Sequence, residues 1–366
     1  MADDTSEARY MRAVEESAAP RPKQPRPIVI LGAGGIVRAA HLPAYEKAGF
    51  PVVAIADNVP GRAAALAAEV AGGEGVRGFD SVEEAVRFAP VNAVFDVAVP
   101  ASQFMGILSQ LPEGAAVLIQ KPLGETLAEA KSIRALCRER RMTAAVNFQL
   151  RYAPNNLGAV ALAKAGLLGD LHDIEVQVRT YMPWELWTFL ANAPRLEILY
   201  HSIHYVDLIR SWLGNPRSVY AKTVRNPQSA KLAATKTAMI LDYGESMRVI
   251  VMTNHGHDFS ETQSSFVQWE GTGGAIRMEM GVLLDYPVGK PDTLRYAVRG
   301  GGGWTSVPVS GNWFPEAFAG SMGALQAFVE GSIADLPIGI ESAYETMALV
   351  EAAYRSSAGG GEPIPA

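Results

Sequence analysis

Cysteine is almost missing from this 366-residue chain. Cys137 is the only one, so no disulfide can close within it, and a reducing cytoplasm is the expected location. Cys137 falls in a helical pattern, where a small buried side chain is a commoner role than a nucleophile. Long apolar runs are missing too. None approaches the roughly 18 consecutive residues that cross a bilayer, so no membrane partner is expected. There is no basic excess, because the formal net charge is −6. Nucleic acid is therefore not an expected partner, since holding phosphates needs clustered Lys and Arg. Residues 1 to 27 are acidic and then proline-rich, and they lack the apolar stretch of a secretory signal. What remains is 48% hydrophobic and 19% charged, a balance typical of a folded globular protein. The length favours two domains over one core.

The most informative stretch is Ile28-Val29-Ile30-Leu31-Gly32-Ala33-Gly34-Gly35-Ile36, a buried strand breaking into a glycine turn. Such a turn lets backbone N–H groups approach a pyrophosphate at a helix N-terminus. Residues 39 to 48 read as the helix. A second apolar strand, Val52 to Ala56, ends at Asp57, where a carboxylate can hold the ribose hydroxyls of an adenine dinucleotide. Gly32, Gly34, Gly35 and Ile36 with Asp57 are therefore candidate coenzyme residues. Asp57 favours NAD over NADP because its charge repels a 2′-phosphate, while the neighbouring Asn58 and Arg62 leave NADP a lesser alternative. Val37 stands where a third glycine would bring helix and strand close.

Strand and helix signals alternate from Ile28 to about residue 150, with further strands at 93–97, 116–119 and 143–148 and helices at 60–69, 81–88 and 126–141. Alternation of this kind predicts a doubly wound parallel sheet, whose ligands sit at the carboxyl ends of its strands. Gly35, Asp57, Pro100 and Lys121 all fall at such ends. The texture then changes to alternating or β-branched runs at 170–180, 218–224, 236–242, 247–253, 265–270 and 275–280, separated by tight turns. These predict a large open mixed or antiparallel sheet, and helices at 317–330 and 342–356 close the chain. The expected organisation is an N-terminal arm (1–27), an α/β Rossmann domain (28–150) and an α+β domain (151–366). Within the arm, residues 5 to 17 suit a short helix. Residues 19 to 27, with four prolines, suit a stiff extended segment that is either an oligomer contact or a tail.

At Gln120-Lys121-Pro122 the chain resembles the Gfo/Idh/MocA oxidoreductases, which include glucose–fructose oxidoreductase and inositol dehydrogenase. Their E-K-P motif follows a T-P turn, read here as Ala98-Val99-Pro100. The likeness extends through Asn147-Phe148-Gln149-Leu150-Arg151-Tyr152, the Gly169-Asp170-Leu171 turn, Gly271-Thr272-Gly273-Gly274 and the late helix at 348–356. It implies hydride transfer between NAD(P) and a hydroxyl of a sugar, cyclitol or related molecule, and a homodimer or homotetramer built through the C-terminal sheet. It also implies that Pro100, Gln120, Lys121 and Asn147 contact the cofactor. Lys121 would hold the reacting oxygen as negative charge develops. The family glutamate is Gln120 here, which removes a negative charge beside Lys121.

Tyr200-His201-Ser202-Ile203-His204-Tyr205-Val206-Asp207 resembles the family's D-x-G-x-H-x-x-D stretch. It places His204 as the proton-exchanging group, a task suited to a side chain that titrates near neutrality. Tyr200 replaces the family aspartate. On one helix over 199–213, Tyr200, His204 and Asp207 would share a face, with Tyr200 contacting substrate and Asp207 fixing the ring. Arg151, Trp184, Arg195, Glu197 and His201 complete the expected substrate set. Trp184 and Trp187 fit either a platform for a pyranose ring or ordinary core packing. His201 and His204 with His255, His257 and Asp258 offer enough ligands for zinc, but the family resemblance implies no metal. Two other readings of the chain are tightly held NAD used for transient oxidation in a net non-redox reaction, and a nucleotide-sensing regulator.

Overall fold

Short apolar runs that can bury both faces favour the inside of a parallel sheet, and this chain supplies several. The computed structural model describes residues 6–70, 75–184, 188–229, 231–286, 288–362 and 364; Glu185, Leu186 and Trp187 lie outside them. The chain opens with helix α1 (Ser6–Glu15). Six strands then form one parallel sheet: β1 (Ile28–Leu31), β2 (Val52–Ala56), β3 (Arg77–Phe79), β4 (Val94–Val97), β5 (Ala116–Ile119) and β6 (Thr143–Val146). Their order is β3-β2-β1-β4-β5-β6, so the winding reverses between β1 and β4, where doubly wound sheets open a crevice for ligands. Every residue of β1, β4 and β5 is buried.

Five α-helices connect these strands: α2 (Leu42–Ala48), α3 (Arg62–Glu69), α4 (Val82–Phe88), α5 (Phe104–Leu108) and α6 (Leu127–Glu139). A five-residue π-turn, Val37–His41, leads into α2. It begins at the fully buried Val37 that occupies the third-glycine position. Thr126 caps α6 by accepting the Glu129 N–H at 3.2 Å, and the Glu129 carboxylate reaches back to the Glu125 N–H at 2.8 Å. Such caps satisfy amides that have no partner within the helix.

The second sheet has eight strands in the order β14-β13-β12-β11-β7-β10-β9-β8. They are β7 (Leu171–Arg179), β8 (Ser218–Val224), β9 (Lys236–Asp242), β10 (Arg248–Asn254), β11 (Ser264–Gly271), β12 (Gly274–Glu279), β13 (Thr293–Val298) and β14 (Thr305–Val307). All its pairings are antiparallel except β7 with β10. Helices α7 (Pro154–Lys164) and α8 (Ile203–Leu213) accompany it. Ile174, Val176, Val249, Val251, Val267 and Met278 are buried on one face. Tyr220, Ile240 and Met252 emerge on the other, at 63%, 52% and 41% exposure. The edge strands β13 and β14 extend the sheet beyond the six runs legible from alternation.

Helices α9 (Glu316–Glu330) and α10 (Ile340–Gly359) complete the chain. By contacts the protein divides into a parallel-sheet unit, Ala19–Tyr152 with Phe314–Met347, and a mixed-sheet unit, Met1–Ala18, Ala153–Trp313 and Ala348–Ala366. Within the parallel-sheet unit the proline-rich segment is tied to α9. The Lys23 and Gln24 N–H groups donate to Glu330, and the Arg26 N–H donates to Gln326. Within the mixed-sheet unit α1 packs on α7, and the Tyr10 ring meets Tyr296 edge-on at 5.5 Å.

Candidate coenzyme and active site

The glycine turn sits at the carboxyl end of β1. Gly32 has φ +116°, and a Cβ there would strike the Ala98 carbonyl, so no other residue fits without strain. A Cβ at Gly34 or Gly35 would meet nothing within 4 Å, so that side of the turn is open to close backbone approach. Ile36 follows as the half-buried residue leading into the π-turn. At the end of β2, Asp57 accepts the Ala33 N–H at 2.8 Å and the Val59 N–H at 2.9 Å. Its charged neighbour is Arg62, 3.3 Å away. Gly32, Asp57, Asn58, Val99, Ser102 and Gln103 help line a cleft of about 360 Å³. An open glycine turn, an anchored carboxylate and this cleft fit a dinucleotide, with Asp57 at the ribose and the turn at the pyrophosphate.

Pro100 is exposed at the loop after β4. Gln120 and Lys121 follow β5, and the Lys121–Pro122 peptide is cis. Lys121 is partly buried, and burial pulls its ammonium down from the usual 10.5 to about 8. Its N–H donates to Gln120 Oε1 at 3.0 Å. Asn147, after β6, is fully buried and its N–H donates to the Ile119 carbonyl at 2.8 Å. Among the described residues, neither end of its carboxamide has a hydrogen-bond partner. Arg151 is tied within the same unit, donating to the Pro337 carbonyl at 3.0 Å and to Ser342 Oγ at 3.4 Å.

A buried cluster here was not singled out from the sequence. His41 Nδ1 lies 2.6 Å from Asp96 Oδ2, and the Tyr45 hydroxyl donates to the same oxygen at 2.7 Å. Gln120 Nε2 lies 2.9 Å from His41 Nε2. Burial and then the Asp96 charge push the Tyr45 phenol far up, so it stays a donor. The available signal was Asp96 itself, an acid inside the otherwise apolar run Val94 to Val97, which must find donors when buried.

The mixed-sheet unit holds the other candidates. Tyr200 and His201 lie in a second π-turn, Ile198–Ser202, which precedes α8 instead of continuing it as one helix. His204 stands in the first turn of α8 and meets the Trp313 ring edge-on at 5.3 Å. Asp207 lies one turn on, and Tyr200, His204 and Asp207 are all buried. The His201 ring lies tilted against His255 with centroids 4.3 Å apart and receives Trp184 edge-on at 5.1 Å. Glu197 is buried, accepting from Ser202 Oγ at 2.7 Å, with His255 Nδ1 3.3 Å away. Arg195, two residues earlier, pairs instead with Glu351 of α10 at 2.5 Å. The structure thus brings Glu197, His201 and His255 together and sends Arg195 elsewhere. His257 bonds Thr262 Oγ1 at 2.7 Å. Among the described residues no three His, Cys, Asp or Glu side chains are grouped to hold a metal ion, and no helix is long and apolar enough to cross a membrane.

A doubly wound unit with a glycine turn, an acid after β2 and a lysine after β5 defines a dinucleotide-binding protein. Two family descriptions cover it: the NAD-binding Rossmann fold of the Gfo/Idh/MocA oxidoreductase family matches residues 26–148, and that family's C-terminal alpha/beta domain matches residues 161–365. The chain belongs to the Gfo/Idh/MocA oxidoreductases, and its cofactor is NAD. No curated protein sequence matches it. Solved structures share the fold. An oxidoreductase from Agrobacterium radiobacter, in complex with NAD+, L-tartaric acid and magnesium, is 20% identical over 92% of this chain and 97% of its own, with a TM-score of 0.74. Aldose–aldose oxidoreductase from Caulobacter crescentus, complexed with glycerol, is 15% identical over 92% and 99%, with a TM-score of 0.77. The WlbA dehydrogenase from Bordetella pertussis, in complex with NADH and UDP-GlcNAcA, is 19% identical over 94% and 100%, with a TM-score of 0.69.

Proposed function

We propose that this enzyme is an NAD-dependent dehydrogenase acting on a carbinol of a sugar, cyclitol or sugar derivative. The observation that carries this reading is the half-buried Lys121 at the end of β5, beside an amide rather than a carboxylate. The bound nicotinamide supplies the hydride acceptor or donor. Lys121 holds the substrate oxygen as charge develops on it. His204 exchanges the hydroxyl proton, Tyr200 contacts the substrate, and Asp207 orients the imidazole. Asp57 selects NAD by repelling a 2′-phosphate, and Asn147 with Pro100 lines the coenzyme. Trp184 and His201 supply ring faces suited to the apolar side of a sugar. Two fold neighbours, the aldose–aldose oxidoreductase complexed with glycerol and the WlbA dehydrogenase complexed with UDP-GlcNAcA, agree with this substrate class.

Assembly follows from the same chain. The exposed face of the mixed sheet carries Tyr220, opposite Ile240, which in turn pairs with Ile250. That apolar row suits a homodimer or homotetramer. The deeply buried Cys137, its thiol pushed up to about 12 by burial, suits a reducing cytoplasm.

The test is a panel of sugars, inositols and sugar acids with NAD and NADP, read at the NADH absorbance. On the substrate found, Lys121→Ala and His204→Ala should each lower kcat by about 100-fold or more. Full turnover in both variants would refute the assigned roles.

A further inference from the structure

A chain of hydrogen bonds runs inside the parallel-sheet unit, from the middle of the sheet to the backbone of Lys121. It starts at Asp96 on β4, passes the His41 ring, crosses to Gln120 and ends at the Lys121 N–H, with links of 2.6, 2.9 and 3.0 Å. His41 and Asp96 are 0% and 1% exposed, and Gln120 is part-buried. The groups facing the imidazole are Asp96, Tyr45 of the following α2, Gln120 and the Phe318 ring of α9, whose centroid is 4.9 Å away. We propose that Asp96, His41 and Gln120 form a one-way relay that positions Lys121, with Gln120 holding the His41 ring neutral and protonated on Nδ1.

The direction follows from counting donors. The Lys121 N–H is a donor, so the side of the Gln120 amide facing it must be oxygen. The other side is then the NH₂ group, and it faces His41 Nε2. Nε2 must accept, so it carries no proton. The ring proton therefore sits on Nδ1 and is donated to Asp96 Oδ2, which also accepts from Tyr45. An imidazolium would set an N–H against the amide NH₂. Turning the amide over would only move the clash to the Lys121 N–H. Each member thus fixes the next, and Lys121 leaves β5 from a peptide anchored through two side chains to the buried Asp96 carboxylate.

Gln120 is decisive because a carboxylate there reverses the logic. Glutamate accepts at both ends, so the His41 link survives only if Nε2 gains a proton. That substitution makes an imidazolium between two acids and also sets a negative charge next to Lys121. His41 and Asp96 are positioning residues, acting through Gln120. The proposal rests on the reading of Lys121 as the group that holds the reacting oxygen.

The experiment is ¹⁵N and ¹³C NMR of the full-length protein with labelled histidine and lysine. The His41 resonance is assigned by its loss in His41→Asn. The wild-type ring should show the neutral Nδ1–H tautomer at pH 7, and Gln120→Glu should convert it to imidazolium at the same pH. The Lys121 titration midpoint should also rise in Gln120→Glu. If that variant does not fold, Gln120→Leu serves, and its His41 Nε2 nitrogen signal should shift downfield, to that of a ring nitrogen that accepts no amide N–H. An imidazolium already present in the wild type, or a ring unchanged by substitution at 120, would overturn the relay. A Lys121 midpoint that ignores Gln120→Glu would overturn its link to Lys121. These signals do not depend on turnover. A switched ring together with full activity in Lys121→Ala would therefore leave the relay standing and defeat the catalytic reading alone.

Discussion

At the scale of single residues, Lys121 carries the clearest consequence. Burial disfavours its charged form, so its pKa falls from 10.5 to about 8. Holding a developing oxyanion needs the ammonium, so kcat/KM should fall as pH rises through about 8. Lys121→Arg, which stays charged, should lose that alkaline limb at a cost in rate. A pH–rate profile without the limb in the wild type would contradict the assignment. Stability should respond with the opposite slope. Between about 8 and 10.5 the unfolded chain binds the proton and the folded chain does not. Stability should therefore rise with pH across that window, and Lys121→Met should flatten the rise in urea titrations. The residues that were hard to foresee are those whose partners lie far along the chain. His41 and Gln120 are 79 positions apart, and no local pattern reports that a strand end and a helix turn will meet. Arg195 and Glu197 are near neighbours in sequence, yet one faces α10 and the other His255.

At the scale of elements, much was legible because local chemistry and tertiary demand agree. The strand expected at 218–224 is β8, and that at 236–242 is β9. Both alternate cleanly because one face is more covered than the other, buried in β9 and half-buried in β8. The glycine turn was equally plain, since φ +116° at Gly32 restricts the residue type directly. The π-turns at Val37–His41 and Ile198–Ser202 were not legible. A π-turn has no composition of its own, and nothing in the local sequence announces that Val37 will be fully buried there. The expected helix over 199–213 therefore resolves into a wide turn followed by α8. The three-residue β3 and β14 are too short to show an alternation, and β13, whose six residues do alternate in burial, went unread. For α6 the local signal is strong enough to predict a cost. Thr126→Ala removes the acceptor for the Glu129 N–H and should destabilise the protein by about 1 kcal/mol in denaturant titration. A change below about 0.3 kcal/mol would mean the cap contributes nothing.

At the scale of the whole molecule, the proposed catalytic residues fall on both compact units. One carries the glycine turn, Asp57 and Lys121, and the other carries His204 and a broad sheet with an apolar outer row. On the proposed assembly this row is the interface, because isolated exposed apolar side chains are ordinary whereas contiguous ones mark interfaces. Placing charge there, as in Ile240→Lys with Met252→Glu, should lower the mass measured by light scattering to that of one chain of 39.1 kDa while leaving the helical circular dichroism signal intact. An unchanged mass would move the interface elsewhere.

The proposed chemistry requires a nucleotide seated at the glycine turn. Calorimetric titration of the purified enzyme with NAD and with NADP measures that directly. One NAD site per chain is expected, with NADP weaker by about tenfold or more and the gap narrowed in Asp57→Ser. No saturable NAD binding, or an NADP preference undisturbed by Asp57→Ser, would contradict it.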